Sequence, residues 1–280
     1  MMQTGISIGG QAPAPWLAAI SSVTTLKGFA GDAALFEDDE RRLQVQGAAA
    51  NCLMAYNLLS NASDILGLAE QRGTLREMLG RLCRAMGGIH QSAGCRFFTL
   101  DLELDRYTEA QWPAQRMRFQ PMLAALVSAP LPFDFGVLLP VSLPSPFPTS
   151  AELARSLEMC RSVNAMPREN WDDSYGIAER PPILPQSSLG LCIHLHLDKE
   201  VAPELLCGRE LLAQAKALVF HYDVAAFETL FDDEQAKWAE YLHECEYDGM
   251  VFFSPSGCPE ARIPEICQDA GGWAELYLPN

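Results

Sequence analysis

The feature that most constrains this chain is a regular alternation of short β-rich runs with helix-like stretches, from one end to the other. The runs are TGISIGG (4–10), DAALFED (32–38), CLMAYNLLS (52–60), CRFFTLDLEL (95–104), FDFGVLLPVSLP (133–144), LGLCIHLHLD (189–198), KALVFHYDVA (216–225) and DGMVFFSPSG (248–257). Most are near-continuous apolar segments, as parallel strands buried on both faces are. Between them, Thr74 and Glu77 have capping-box spacing ahead of a helical stripe of Leu75, Met78, Leu79, Leu82 and Met86. Thr149 and Glu152 repeat that spacing, and further helices are expected at 14–27, 112–129, 202–215 and 234–246. The segment 38–50 is a weaker helix candidate because Gly47 interrupts it.

Eight strands alternating with helices over 280 residues predict a single (β/α)8 TIM barrel, an α/β fold spanning 1–280. The rival is a doubly wound open sheet. That fold usually carries GxGxxG after its first strand, and ISIGGQAPAPW does not match it. The longest irregular stretch, about 165–188, falls between a helix and the sixth expected strand and reads as an insertion on the barrel's bottom face.

Composition narrows the function. Hydrophobic residues make up 49% of the chain, enough for a full core, and the net charge is −16. An acidic surface without a Lys/Arg stripe repels phosphate, so no nucleic-acid partner is expected. No apolar run reaches the roughly 20 residues of a membrane span. The N-terminal MMQTGISIGG lacks the layout of an export signal. The nine cysteines form no CxxC and several sit inside apolar runs, which suits small buried hydrophobes in a reducing, cytoplasmic setting.

Barrel chemistry sits at the C-terminal ends of the strands, so polar residues there matter most. The sixth run ends in His194, His196 and Asp198, spaced by two, which places them on one face with Ile193, Leu195 and Leu197 on the other. The seventh ends in His221 and Asp223. Imidazoles and carboxylates are ligands for Zn, Mn, Fe or Co, and imidazole is a general acid or base near neutral pH. His194, His196, His221 and Asp223 are therefore the expected ligands of a divalent metal, with Asp223 also a candidate base. The plainer alternative is a set of hydrogen-bonded histidines stacked inside the barrel.

Asp101, Glu103 and Asp105 end the fourth run at alternate positions. Asp101 and Glu103 are candidate catalytic carboxylates, against the alternative of solvated acids starting a loop. Asn57, Trp112, Ser254 and Ser256 are candidate substrate-binding residues, and Glu37 is a further carboxylate after the second run. The turn Ser254–Gly257 offers backbone N–H groups to a phosphate, although a plain turn is commoner. There is no GxSxG, Walker A or HExxH, and Lys199 and Lys216 flank strands rather than ending inside one, which disfavours a Schiff-base enzyme.

The order of these elements resembles the xylose isomerase-like barrels, which include sugar-phosphate isomerases and epimerases and endonuclease IV-type enzymes. The resemblance spans almost the whole chain, through TGISIGG, DAALFED ending in Glu37, LGLCIHLHLD, VFHYD and YDGMVFF. It implies a divalent metal held by carboxylates and a histidine at the ends of strands five to eight, with two glutamates trading a proton through a cis-enediol. On that pattern His221 matches the strand-seven histidine and His194 stands where an aspartate belongs. Pro140 and Ser254 fall where the two glutamates would be. The expected function is a metal-dependent isomerase, epimerase or related lyase acting on a sugar or sugar-like molecule at the barrel mouth. The alternative is a degenerate barrel that binds a carbohydrate or a protein without turnover. Endonuclease IV-type DNA repair ranks below both, because it needs a denser metal set and a basic face.

Overall fold

The computed structural model describes residues 2–9, 11–26, 28–31, 75–93, 95–129, 131, 135–143, 151–166, 189–197 and 202–277. Among the described residues seven strands form one all-parallel sheet: β1 (Gln3–Gly9), β2 (Gly28–Gly31), β3 (Phe97–Thr99), β4 (Gly136–Leu143), β5 (Leu189–His196), β6 (Ala215–Asp223) and β7 (Met250–Ser256). The helices are α1 (Pro13–Ser21), α2 (Leu75–Ala93), α3 (Trp112–Val127), α4 (Ala151–Asn164), the short α5 (Pro203–Leu206) and α6 (Arg209–Leu212), α7 (Val224–Glu244) and α8 (Ile263–Tyr277).

The strand order is β2-β1-β7-β6-β5-β4-β3, a cyclic sequence in which the first and last strands pair. A doubly wound sheet reverses its order at a switch point, and this one does not. The fold is therefore a TIM-barrel type, as expected. Gln3 to Ile6 of β1 lie opposite Met250 to Phe253 of β7, which joins the chain's two ends.

Alternation along the strands separates two cores. Ala30, Leu138, Cys192, Ala217, Val219, Met250 and Phe252 form a cluster inside the curled sheet, with Phe97 against it. The other parity, including Ile6, Phe98, Leu139, Ile193, Leu195, Phe220 and Phe253, packs outward under the helices. Gly5 is required where β1 meets β2, because a Cβ there would come within 2.5 Å of the Gly28 carbonyl oxygen.

Several boundaries differ from the sequence expectations. The strand Gly28–Gly31 lies just ahead of the expected run 32–38; two glycines among its four residues leave little apolar periodicity to detect. The runs 32–38 and 52–60, with Glu37 and Asn57, lie outside the described residues, as do Asp198 and the insertion from residue 167 to 188. The expected strand 95–104 is cut to Phe97–Thr99 and ends in a 3-10 turn at Leu104–Arg106. The helix expected at 202–215 splits into α5 and α6, with Gly208 as N-cap of the second. The helix expected at 234–246 starts ten residues earlier, at Val224, where Asp223 caps it. Residues 273–277 of the C-terminal WAELYLPN close α8 rather than forming a strand, and the Trp273 ring meets Phe253 edge-on at 5.4 Å.

Among the described residues every cysteine is a free thiol, and Cys95, Cys160, Cys192, Cys207 and Cys267 are buried. No helix of the described residues is long and apolar enough to cross a membrane.

Candidate functional site

The strand order brings the ends of β5, β6 and β7 side by side. Register sets His196 opposite His221, and His221 opposite Ser254; one pair further along, Asp223 faces Ser256. His194, His196, His221, Asp223, Ser254 and Ser256 share parity with the inward cluster, so they continue the barrel interior toward its C-terminal mouth. The spacing-by-two argument thus gathers the residues it selected.

Their geometry is that of a hydrogen-bonded pair of near-parallel rings. His194 Nδ1 and His221 Nε2 are 2.8 Å apart, and their rings are 5.1 Å between centroids and 17° from parallel. The His196 ring lies 4.9 Å from that of His221 and 20° from parallel. Beneath them His194 Nε2 lies 3.6 Å from the sulfur of the fully buried Cys192. Burial, with His221 and then His196 nearby, lowers the His194 pKa to about 3. Burial and the neighbouring His196 lower His221 to about 4. Both imidazoles are therefore neutral at pH 7.

The donors do not fit a divalent metal in this arrangement. An ion that holds two imidazole nitrogens at about 2.0–2.1 Å needs both lone pairs aimed at itself. Here the facing nitrogens of His194 and His221 are aimed at each other. Asp223 spends a carboxylate oxygen on the Ala225 N–H at 2.8 Å, as the N-cap of α7. Among the described residues no group of three His, Cys, Asp or Glu side chains is arranged to hold a metal ion.

The remaining candidates separate. Ser256 Oγ donates to the Tyr222 carbonyl at 3.1 Å and ties β7 to β6, while Gly257 follows at φ +65°. That positive φ accounts for the glycine of the Ser-Pro-Ser-Gly turn. Asp101 accepts the Glu103 N–H at 2.8 Å, and Glu103, at φ 46°, pairs with Arg106 at 2.6 Å. Both carboxylates thus organise the turn after β3. Trp112 is buried at the start of α3; its indole N–H donates to Glu158 at 2.8 Å and Arg155 lies 5.3 Å over its ring. It is a packing residue here.

Glu152 was not singled out by its chemistry. Counted only as part of a capping box, it stands in the first turn of α4 on the same end of the barrel. Burial, helped by Asp105 and Asp101, raises its pKa to about 7. The clue in the sequence is its position in the first turn of the helix that follows β4, on the side of the acids after β3. A cavity of about 470 Å³ lies at the opposite end, where β6 and β7 begin, lined by Arg209, Lys216, Glu244, Cys245, Tyr247 and Asp248.

No protein-family model and no curated protein matches the sequence. Solved structures do match the fold. A D-psicose 3-epimerase with D-tagatose from Clostridium cellulolyticum H10 covers 100% of both chains at TM-score 0.58 and 9% identity. A D-psicose 3-epimerase in the presence of D-fructose covers 100% of both at TM-score 0.60 and 10% identity. An AP endonuclease, family 2, from Brucella melitensis covers 93% of this chain and 96% of its own at TM-score 0.56 and 12% identity. The chain shares their barrel fold. The barrel fold expected from the sequence is thereby borne out.

Proposed function

We propose that the protein handles a sugar or sugar-like polyol at the C-terminal ends of β5 to β7, as an isomerase or epimerase. The observation that carries this reading is the neutral His194–His221 pair, hydrogen-bonded at 2.8 Å where the strands open. The sugars named with the epimerase structures of the same fold support the substrate class. Isomerisation of a keto sugar needs a base for the proton on the carbon beside the carbonyl, and a donor that steadies the oxygen. A neutral imidazole is suited to the second task. In this reading His221 is the donor, Asp223 or His196 takes the proton, and Ser254 and Ser256 meet sugar hydroxyls. No step is routed through a metal, because the described donors do not converge on one.

Binding without turnover is the second reading. Pro140 and Ser142 lie toward the end of β4 and Ser254 toward that of β7, so the described strands supply neither glutamate that the resemblance requires.

One experiment separates these readings. Purified protein is analysed for metals without chelators, then screened for ketose isomerisation and epimerisation with and without EDTA, beside His221→Ala. Turnover that survives EDTA and falls at least a hundredfold in His221→Ala is expected. Near-stoichiometric Mn, Zn, Fe or Co that is lost in His221→Ala would restore the metal-dependent form. Sugar binding by calorimetry without turnover would favour the second reading, and no binding of any sugar would sink both.

A further inference from the structure

The contact between Cys192 and His194 gives the histidine pair a direction. Cys192 is on β5, fully buried, and two residues below His194 on the same inward face. Its side chain is closed off from solvent, and an ordinary thiol keeps its hydrogen at neutral pH. Among the described residues the Cys192 thiol has no hydrogen-bond partner other than His194 Nε2, at 3.6 Å. A neutral imidazole carries one hydrogen and offers one lone pair.

Two directions satisfy the geometry. In the first, the thiol donates to His194 Nε2, His194 Nδ1–H donates to His221 Nε2, and His221 keeps its hydrogen on Nδ1. In the second, every bond runs the other way and ends with an N–H on sulfur. The second uses the weak acceptor in the chain and leaves the buried thiol hydrogen without a partner. The first gives the thiol hydrogen, both ring nitrogens of His194 and Nε2 of His221 a partner, and each bond polarises the next.

We propose that Cys192 is a positioning residue whose thiol fixes a one-way hydrogen-bond chain, Cys192 to His194 to His221. The chain ends in a neutral His221 that carries its hydrogen on Nδ1. His221 is then a donor only. Its Nε2 lone pair is taken by His194 and its other nitrogen is protonated, so it selects an oxygen acceptor over a divalent cation. That this acceptor is a sugar carbonyl or hydroxyl rests on the function proposed above. The chain of hydrogen bonds does not.

The test is a two-bond proton–nitrogen correlation spectrum of the full chain at pH 7, with its 5 histidines labelled in the ring. His194 and His221 are assigned through single His→Asn variants. Both are expected as neutral Nδ1–H tautomers, unchanged by one equivalent of Zn²⁺. Cys192→Ser keeps a donor and should preserve the pattern. Cys192→Ala should remove the Nδ1–H preference at His194, and His221, untouched by the substitution, should follow. An Nε2–H tautomer at His194 in the parent protein, a metal-bound pattern at either ring, or no response to Cys192→Ala would each overturn the proposal. Adding D-fructose then probes the function separately. An intact tautomer pattern that ignores the sugar would count against the proposed substrate and leave the chain standing.

Discussion

His194 is held between a thiol and a second imidazole, and Glu152 between a helix start and two acids. These are opposite solutions to burying a titratable group. The histidine loses its charge by deprotonation, the glutamate by holding its proton. A carboxylate in a helix's first turn is ordinarily stabilised by the helix dipole. For Glu152, burial and the neighbours Asp105 and Asp101 outweigh that effect. The consequence for stability has a definite sign. The folded-state pKa, about 7, lies above the ordinary 4.5, so the folded protein binds this proton more tightly than the unfolded chain does. The stability it contributes is complete below pH 4.5 and is lost as pH rises through about 7. Glu152→Gln should flatten this loss: its urea midpoint should drop less than the parent's between pH 5 and 8. Equal drops in the two proteins would refute the assignment.

At the scale of elements, two contacts decide how the pieces meet. Arg155 of α4 is almost fully buried; it donates to the carbonyls of Leu104 and Tyr107 at 2.6 Å each and pairs with Glu109 at 2.6 Å. It thereby fastens the turn after β3 to the helix after β4. Arg155→Ala should cost about 3 kcal/mol, since it strands buried carbonyls and opens a void beside Trp112. Arg155→Lys should recover only part of this, because an ammonium lacks the planar fork. Thermal or urea unfolding measures both, and a loss under 1 kcal/mol in the alanine variant would contradict the account. At the β1–β2 contact, the Cβ of Gly5→Ala would press on the Gly28 backbone at 2.5 Å and the Phe252 ring at 2.9 Å. A cost of about 1–3 kcal/mol is expected from this overpacking. Gly87→Ala is a fitting control, because nothing lies within 4 Å of a Cβ at Gly87.

At the scale of the whole molecule, the fold is shared by sugar epimerases and by an AP endonuclease, and charge separates the two kinds of partner. A net charge of −16 opposes the phosphate contacts and counterion release that drive binding to DNA. A fluorescein-labelled duplex with an abasic site should show no salt-dependent anisotropy change with this protein, even at 20 mM salt. Binding that weakens steeply with salt would move the repair reading ahead of the other two.

Barrel class, the approximate placement of β1, β4, β5, β6 and β7, and the grouping of His194, His196 and His221 were legible in the sequence. Each follows from a period: continuous apolar runs for parallel strands, and polar residues two apart for one face of a strand. Such periods are local, and the residues of each strand carry them. The tertiary structure alone decided what those side chains do. Whether two imidazoles on neighbouring strands share a proton or a metal depends on a register and a ring rotation that bring Nδ1 of one to 2.8 Å from Nε2 of the other. Neither histidine's own strand encodes that distance. The same holds for Glu152, Arg155 and the β2 strand of Gly28–Gly31, whose roles come from partners 20 or more residues away in the chain. Local pattern sets which face a residue occupies, and packing across the barrel sets its charge, its partner and its chemistry.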